Sequence, residues 1–421
     1  MGALYATSFS SAQTIKQLNQ SISSTTDKIQ KLEEEIKQSE NNLEKTRSLK
    51  ITLSNLIYQL DITRKKLENE IRLTATKVDN TDLKIKQLDA EILYKENSIN
   101  SREAALGEAV RAIYEYDGHT LPEVAASGLS FSGLWSDLEA IGQFNDSMRA
   151  NTEVLKGLKS DLENKQGVKQ TEKKNLITLK TELGDRKKIT EQNKKEKAVL
   201  LAQTKNKEIA FQKLLKEKRG LKDAFEQELR DYEAQLKFSL DPTSIPPRGT
   251  KVFATPLDSM ANIPKKDWLN LHIITQLFGK TVDSVRLYSS GTHNGTDFRA
   301  SVGTPVKAMA AGTVAGVGDT DPTCPGASFG KWIFIRYQNG LASTYGHLSL
   351  ITASPGDSVS AGTLVGYSGN TGYSTGPHLH VSVYANDGVS VRTLKSKICG
   401  GRTYTLPIAA FNAYLDPMDY L

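Results

Sequence analysis

The chain has 421 residues with 54 basic and 48 acidic side chains, and only 38% of its residues are hydrophobic and 7% aromatic. This composition is too polar for one uniform globule. The net charge of +6 is spread thinly along the chain, which argues against the dense basic face of a nucleic-acid-binding protein. No stretch approaches the ~20 apolar residues that a membrane-spanning helix needs.

The composition changes at Asp241. Residues 1–240 carry 77 of the 102 charged side chains, whereas 21 of the 31 glycines and 12 of the 13 prolines come later. The sequence therefore predicts an α + β multidomain protein. Residues 241–421 contain 11 aspartates and no glutamate, so a glutamate general base is excluded from that half of the sequence.

The N-terminal residues 1–12 end in Ser10-Ser11-Ala12, which resembles the small-x-small end of a secretory signal. A basic n-region and a full apolar h-region are missing. We interpret residues 1–12 as a signal remnant.

The next segment carries a heptad repeat. Stepping by seven from Ile15 to Ile113 meets an apolar residue at 13 of 15 positions, without interior proline. This pattern is typical of a coiled coil. It predicts one continuous helix, a rod of roughly 150 Å at 1.5 Å per residue.

Residues 114–140 interrupt this pattern with glycines and a proline, and a second helical stretch of similar length follows over 141–238. Equal lengths around a break predict a long antiparallel α-helical coiled-coil hairpin over residues 13–238, with its tip at 114–140. The tip contains apolar side chains that fit either a partner-binding surface or a small local core: Leu121, Phe131, Leu134 and Trp135. His119, also in the tip, is interpreted as a surface loop residue.

Residues 239–250 contain three prolines and are predicted to be a linker, because proline cannot continue the preceding helix. Residues 251–421 then show short β-like runs between glycine turns, which predicts a mostly antiparallel β domain. The runs are Thr304–Met309, Trp332–Tyr337, Ser358–Tyr367 and Leu379–Tyr384.

Five of the six histidines lie in this last domain, four of them in three short motifs. His293 and Asp297 lie four residues apart among glycines, as in a turn that enters a strand. His378 and His380 are two residues apart, so a strand would place both imidazoles on one face. His347 belongs to the remaining motif. Two imidazoles and a carboxylate on one cleft are the ligands of a catalytic zinc ion, whose fourth position is left for water.

The three motifs are His-x-Gly-x-Asp at 293–297, Tyr-x-His-Leu at 345–348 and His-Leu-His at 378–380, and they resemble those of the M23 (lysostaphin/LytM-type) zinc metallopeptidases. The resemblance covers about residues 251–421 and implies a mostly antiparallel β metallopeptidase domain. One departure is Val381-Ser382, where the family usually has Phe-Glu. This difference affects packing more than metal binding.

The resemblance implies that His293, Asp297 and His380 bind one zinc ion per chain. It also implies that His347 and His378 take the proton from water and stabilise the oxyanion. The absence of glutamate agrees with this, since the base must then be a histidine or an aspartate. The ligand set alone would also suit non-haem iron, but the two further histidines favour hydrolysis.

Four further residues have two interpretations each. Tyr288 is either a donor to the oxyanion or a structural aromatic residue. Cys324 and Cys399 lie in two apparent insertions into the family pattern, which favours a disulfide in an exported protein over two unrelated buried thiols. His272 lies in an apolar run and is expected in the core or a groove wall rather than at the metal.

A long coiled coil followed by such a domain resembles the EnvC-type murein hydrolase factors. The resemblance implies a zinc-dependent endopeptidase that hydrolyses peptide cross-links of bacterial peptidoglycan in cell-wall remodelling or division, positioned or restrained by its coiled coil. It further implies export to the periplasm or cell wall and docking of the coiled-coil tip on an FtsEX-type membrane complex. The alternatives are a non-enzymatic, EnvC-like activator of cell-wall amidases and a purely structural spacer. The bond cleaved stays open between Gly–Gly and a link through D-alanine and a diamino acid.

Overall fold

The structure is a computed structural model that describes residues 3–47, 52–116, 131–236, 238–287, 291–374 and 376–421. Its helices are α1 (Ala3–Arg47), α2 (Leu53–Tyr116), α3 (Phe131–Thr204), α4 (Glu208–Glu233) and α5 (Val282–Leu287). A long helical region therefore precedes the β domain, as the sequence predicts. None of the described helices combines the length and the apolar character that crossing a membrane requires.

The first heptad segment is two helices rather than one. α1 ends at Arg47 and α2 begins at Leu53. The hydroxyl of Thr52 accepts the backbone N–H of Asn55 (3.2 Å) and so caps the start of α2. The prediction of one continuous helix over 15–113 is therefore wrong, because a heptad repeat specifies an apolar stripe and does not exclude a break between two helices that share it.

Contacts divide the chain into two compact units, residues 1–34 with 72–183 and residues 35–71 with 184–421. The second unit thus combines the β domain with parts of α1, α2 and α3 and with the whole of α4. The domain limits drawn from composition remain a prediction.

Ion pairs show how the helices of the first unit are oriented. Lys165 Nζ of α3 lies 2.6 Å from Glu91 Oε2 of α2, and Lys159 Nζ lies 2.7 Å from Glu103 Oε1. The residue numbers run in opposite directions along the two helices, so α2 and α3 are antiparallel. This is the pairing that the predicted coiled-coil hairpin requires.

A second break separates α3 from α4. Lys205 and Asn206 have left-handed backbone conformations, with φ of 48° and 56°, and end α3 at Thr204. The prediction of one helix over 141–238 is therefore wrong, because two successive left-handed residues cannot continue a right-handed helix. The next helix, α4, takes a new direction within the second unit and ends at Glu233.

The β domain is antiparallel throughout. Its strands are β1 (Ile274–Gln276), β2 (Thr296–Arg299), β3 (Pro305–Lys307), β4 (Gly312–Asp319), β5 (Lys331–Tyr337), β6 (Leu341–Ile351), β7 (Ser358–Val359), β8 (Leu364–Ser368), β9 (His378–Ala385), β10 (Val389–Lys395), β11 (Thr403–Ala409) and β12 (Tyr414–Leu415). Among the described residues, ten strands form one sheet with the central order β1-β2-β9-β6-β5-β4-β7. β10 and β11 form a separate hairpin, called here the β10–β11 hairpin. The predicted run 358–367 is two strands, β7 and β8, on either side of a turn at Gly362 (φ 85°).

The helix α4 packs on the β domain. Phe225, Leu229 and Tyr232, spaced as in a heptad seam, join a core cluster with Tyr404 and Leu406 of β11. The ring centroids of Phe225 and Tyr404 are 6.2 Å apart in an edge-to-face arrangement. The apolar side chains of the last three turns of α4 are thus buried against the β domain.

A smaller core cluster joins α2 and α3 to the same domain. Leu67 of α2 and Ile189 of α3 pack with Val302 and Tyr367, and Leu67 is fully buried. Next to them, Gly303 has a positive φ of 86°, and a side chain there would come within 3.0 Å of Leu67. The glycine at position 303 therefore leaves the space that the Leu67 side chain of α2 occupies.

We predict that Leu67→Ala lowers the free energy of unfolding of the full-length chain by about 2–5 kcal/mol, since it leaves a cavity in a closed cluster. The matched control is Ile209→Ala in α4, whose side chain is 87% exposed. The control should change stability by less than about 0.5 kcal/mol. Denaturant unfolding followed by tryptophan fluorescence measures both; equal effects would show that the cluster contributes nothing.

Candidate metal centre

Two neighbouring strands carry most of the polar side chains of the candidate site. β2 and β9 are antiparallel, and their register places Asp297 directly opposite His380 and Arg299 opposite His378. His293 precedes β2 and is held by a β-bridge to Gly279. The sheet therefore brings together residues that are more than 80 positions apart in sequence.

The structure groups His293, Asp297 and His380 as residues that could hold a metal ion. His380 Nδ1 lies 2.8 Å from Asp297 Oδ1 and 3.2 Å from His293 Nε2, and His293 Nε2 lies 3.3 Å from Asp297 Oδ1. Ligand atoms about 2.0–2.1 Å from a tetrahedral zinc ion lie roughly 3.3 Å from one another. The spacing and the donor types therefore fit zinc, with three protein ligands and one open position.

Hydrogen bonds on the far side of each ring orient these ligands. His293 Nδ1 lies 3.1 Å from the carbonyl oxygen of Leu277, and His380 Nε2 lies 2.8 Å from Ser382 Oγ. A neutral imidazole that donates through one nitrogen presents a lone pair on the other. His293 Nε2 and His380 Nδ1 are then the ring atoms that face Asp297 and each other.

His347 and His378 lie beside this group. His347 Nδ1 is 2.8 Å from the carbonyl oxygen of Thr371, and His378 Nδ1 is 2.8 Å from that of Gly376. The two rings are 4.6 Å apart, and His378 Nε2 is 3.5 Å from Asp297 Oδ2. In both histidines Nδ1 is therefore engaged with the backbone, which leaves Nε2 for chemistry.

A strained backbone position directs His347 toward the site. Its φ is 58°, in the left-handed region that non-glycine residues rarely adopt. The pairing of β6 with β5 shifts register between Lys331 and Ile333, and the N–H of His347 donates instead to the carbonyl of Phe329 at 2.7 Å. A bulge of this kind turns a side chain out of the regular alternation of a strand.

Burial and neighbouring charges set the protonation of the site. Burial alone would raise the pKa of Asp297, but the imidazoles of His293 and His378 hold that pKa well below its ordinary value. Burial lowers the pKa of His347 far below its ordinary value, and the adjacent His378 and His380 lower it further. Burial also lowers the pKa of His380. Burial alone would lower the pKa of His293 as well, but the Asp297 carboxylate raises that pKa above its ordinary value. Carboxylate and neutral imidazole are the forms in which Asp297, His293 and His380 bind a metal, so an ion at His293 competes with a proton.

The helix α4 covers this site. Phe225, Leu229 and Arg230 of α4 line a cavity of about 150 Å³ together with His293 and His347. Glu226 and Glu233 of α4 line the same cavity. Division of the sequence at Asp241 excluded glutamate from the site, and these two carboxylates were missed because they come from the helical part. The signal that could have found them is the apolar spacing of Phe225, Leu229 and Tyr232 on α4.

The glutamate that ends α4 is buried. Glu233 is 1% exposed; its Oε1 accepts a hydrogen bond from the hydroxyl of Tyr414 (2.5 Å), and its Oε2 has no hydrogen-bond partner among the described residues. Burial raises the pKa of Glu233 to about 7, against the opposing effects of Tyr414 and Arg230. The end of α4 thus carries a carboxyl group that titrates near neutral pH.

Other residues proposed from the sequence have different outcomes. Cys324 and Cys399 form a disulfide with a Cα–Cα distance of 5.8 Å. His272 is exposed in a turn with φ of 54°, so the expectation of a core or groove-wall position is wrong. The turn before β1 places this residue at the surface, although its neighbours in sequence are apolar. Tyr288, His119 and the tip residue Leu121 lie outside the described residues. For Phe131, Leu134 and Trp135 the structure shows only that they lie in α3.

Comparison with known proteins identifies the domain. The model of peptidase family M23 matches residues 291–392. The DD-carboxypeptidase/endopeptidase Mpg of Neisseria meningitidis serogroup B is 35% identical over 113 residues, 27% of this chain and 24% of that protein. The peptidoglycan DD-endopeptidase ShyA of Vibrio cholerae is 40% identical over 106 residues, 25% of this chain and 23% of that protein. The chain thus spans about a quarter of the length of these curated relatives.

A solved structure is similar over the same part of the chain. The catalytic domain of the antimicrobial peptidase lysostaphin from Staphylococcus simulans is 30% identical, and the match covers 36% of this chain and 93% of that domain with a TM-score of 0.26. The sequence matches and the His-Asp-His group define a metallopeptidase domain. The chain carries a domain of peptidase family M23.

We predict that Gly295→Ala weakens zinc binding at least ~10-fold, because a Cβ at this position would lie 2.6 Å from His380 Nε2 and 2.4 Å from the carbonyl oxygen of Val381. The matched control is Gly376→Ala, where a Cβ would meet nothing within 4 Å. Competition with a chromophoric chelator measures both affinities. An unchanged affinity in Gly295→Ala would contradict this account of the site.

We predict that Glu233→Gln stabilises the chain at pH 8 relative to wild type but not at pH 4. A carboxyl group whose pKa is raised from 4.5 to about 7 by folding costs stability as the pH rises through that interval. The full difference is on the order of 3 kcal/mol. Thermal unfolding of the two proteins across this pH range measures it.

The matched control for this prediction is Asp231→Asn, an exposed carboxylate in the same turn of α4. It should leave the pH dependence of wild type unchanged. Parallel stability curves for wild type and Glu233→Gln would show that the titration of Glu233 is not coupled to folding.

Proposed function

We propose that this chain is a zinc-dependent endopeptidase that hydrolyses peptide cross-links of bacterial peptidoglycan, and that α4 restrains it. The observation that carries the proposal is the grouping of His293, Asp297 and His380 within bonding distance of one ion, with His347 and His378 beside them. Three ligands with an open position, next to two imidazoles, suit metal-assisted hydrolysis.

The proposed chemistry divides between the ion and the side chains. A zinc ion held by the three ligands supplies Lewis-acid chemistry, polarising a carbonyl and making water more acidic. Burial lowers the pKa of His347 well below its ordinary value, so its Nε2 is unprotonated near neutral pH and is the candidate acceptor of a proton. His378 Nε2 lies 3.5 Å from Asp297 Oδ2 and is the candidate donor to the developing oxyanion. Tyr288 remains a second candidate donor.

The names of the relatives support the substrate class. Mpg is a DD-carboxypeptidase/endopeptidase and ShyA is a peptidoglycan DD-endopeptidase. The glycyl-glycine endopeptidase ALE-1 of Staphylococcus capitis is 39% identical over 99 residues, so the bond cleaved stays open between a link through D-alanine and a Gly–Gly link. The role in cell-wall remodelling or division belongs to the same proposal.

The size of the cavity supports restraint by α4. A site for a drug-sized ligand occupies about 300–1,000 Å³, whereas the cavity under α4 has only about 150 Å³. A peptide stem of the cell wall is at least as large as such a ligand. In this arrangement the metal group is formed while α4 narrows the space beside it, and the proposed restraint is that α4 moves before a cross-link binds.

The β10–β11 hairpin holds α4 in this covering position. Glu228 of α4 accepts hydrogen bonds from Ser396 Oγ and from the backbone N–H of Lys397, both at 2.6 Å. The hydroxyl of Tyr232 donates to the carbonyl of Lys395 at 3.2 Å. These contacts join the last turns of α4 to the turn of the hairpin.

The proposed location is outside the cytoplasm, in the periplasm or at the cell wall, where peptidoglycan lies. The disulfide between Cys324 and Cys399 agrees with an oxidising compartment. Docking of residues 114–140 on an FtsEX-type membrane complex remains a prediction. In this proposal such a partner acts through the helices to release α4.

We predict that Glu228→Ala in the full-length chain raises the initial rate of muropeptide release from purified sacculi about ten-fold or more. The change removes two hydrogen bonds to a charged group, each of which stabilises the covering position of α4 by about 1.5–3 kcal/mol. A loss of about 1.4 kcal/mol already raises the ratio of open to closed forms ten-fold. Adding His378→Ala should abolish the release. Mass spectrometry of the products shows whether the bond includes D-alanine.

The control variant is Glu217→Ala, an exposed residue of α4 that should digest sacculi at the wild-type rate. Zinc content is measured for every variant, with one ion per chain expected. A Glu228→Ala protein that binds zinc but releases no muropeptides would favour the non-enzymatic activator of amidases over the enzyme.

A further inference from the structure

One face of β9 is polar along its whole length. His378, His380, Ser382 and Tyr384 alternate along the strand, and alternate residues of a strand share a face. The side chains of Ser382 and Tyr384 are fully buried, at 0% exposure. A buried hydroxyl without a hydrogen-bond partner destabilises the folded chain, so the partner of the Ser382 hydroxyl indicates the role of Ser382.

Ser382 contacts a side chain of the metal group. Its Oγ lies 2.8 Å from His380 Nε2, while His380 Nδ1 points at Asp297 and His293. The neutral ring carries one proton. In the tautomer with the proton on Nε2, the Nε2–H group donates a hydrogen bond to Ser382 Oγ, and the lone pair of Nδ1 can bind a cation. The opposite tautomer would place a proton on Nδ1, among the ligand atoms.

The hydroxyl of Ser382 is itself held in place. It is hydrogen-bonded to the hydroxyl of Tyr384, which donates to Thr344 Oγ1 at 3.1 Å. The hydrogen bonds therefore run in one direction, from His380 through Ser382 and Tyr384 to Thr344. In this arrangement Ser382 accepts from the ring and uses its own proton for Tyr384.

We propose that Ser382 is a positioning residue for the metal centre: its hydroxyl fixes the tautomer and the ring orientation of His380, so that Nδ1 faces the ion. The inference rests on the zinc site of the proposed function and concerns a position where the resembled family pattern carries glutamate. At this position a neutral hydroxyl replaces a carboxylate, and the hydrogen bonds through Tyr384 to Thr344 orient that hydroxyl.

The test measures metal affinity, which does not depend on hydrolysis. Removing the outer hydrogen-bond partner of a metal-binding histidine typically costs 10–100-fold in affinity. We expect Ser382→Ala to raise the dissociation constant for Zn²⁺ by this factor, measured on the full-length chain by chelator competition. Tyr384→Phe, which removes the acceptor for the Ser382 hydroxyl together with the hydrogen bond from Tyr384 to Thr344, should produce a smaller rise, and Ser382→Thr should restore the wild-type value.

The matched control is Ser343→Ala in β6. Ser343 is equally buried and bonds Tyr337 at 2.7 Å, with no contact to the metal group. It should leave the Zn²⁺ affinity within about two-fold. The absorption spectrum of the Co²⁺-loaded protein gives a second measure, since ligand geometry changes it: Ser382→Ala should shift the spectrum and Ser343→Ala should not.

Three results would overturn the inference. Equal losses in Ser382→Ala and Ser343→Ala would indicate a general packing effect, and an unchanged affinity in Ser382→Ala would exclude positioning. A wild-type chain that binds no Zn²⁺ would overturn the proposed function as well, whereas tight binding without any effect of Ser382 overturns this inference alone. If Ser382→Ala does not fold, judged by circular dichroism, Ser382→Thr and Tyr384→Phe decide: a wild-type affinity in Tyr384→Phe, or a loss in Ser382→Thr despite its hydroxyl, contradicts positioning.

Discussion

The antiparallel register between β2 and β9 is the constraint on which the site depends. The register sets Asp297 opposite His380 on one face, and on the other face it buries Phe298, Leu379 and Val381 in the main core. Shifting β9 by a single residue would exchange its two faces. Leu379 and Val381 would then leave the core, at about 1.5–3 kcal/mol each. The apolar core thus specifies the geometry of the metal centre.

Helix α4 covers the polar face that this register creates. Phe225 and Leu229 of α4 bury their side chains against the β domain, and opening the site would expose both to water. At about 1.5–3 kcal/mol for each, opening costs about 3–6 kcal/mol before any polar contact is counted, so the open form is well below one per cent of the population. The same contacts that stabilise the domain therefore limit access to the metal group. On the proposed restraint by α4, any factor that opens the site has to supply a free energy of this size.

The sequence predicted the grouping of His293, Asp297 and His380 better than it predicted the course of the helices. The site motifs are local, and strand alternation is enough to place His378 and His380 on one face. The separation of α1 from α2 and the break at 205–207 were missed because heptad spacing alone does not show where one helix ends and the next begins. The glutamates of α4 were missed for a related reason: the stripe Phe225–Leu229–Tyr232 indicates burial but does not indicate whether a helix or a sheet provides the partner surface.

The candidate metal ligands and the residues that hold α4 over them lie in different parts of the β domain. The match to the M23 family ends at residue 392, whereas Ser396, Lys397 and Tyr404, which hold α4, lie beyond it. Cys399 in the turn of the hairpin is bonded to Cys324, and the segment after Cys324 supplies Phe329 to the cavity wall. The anchor of α4 and a wall of the site are therefore covalently joined. A relative that shares residues 291–392 but lacks the hairpin could use the same metal group without this restraint, so regulation in this chain has to be derived from its own contacts rather than from the domain match.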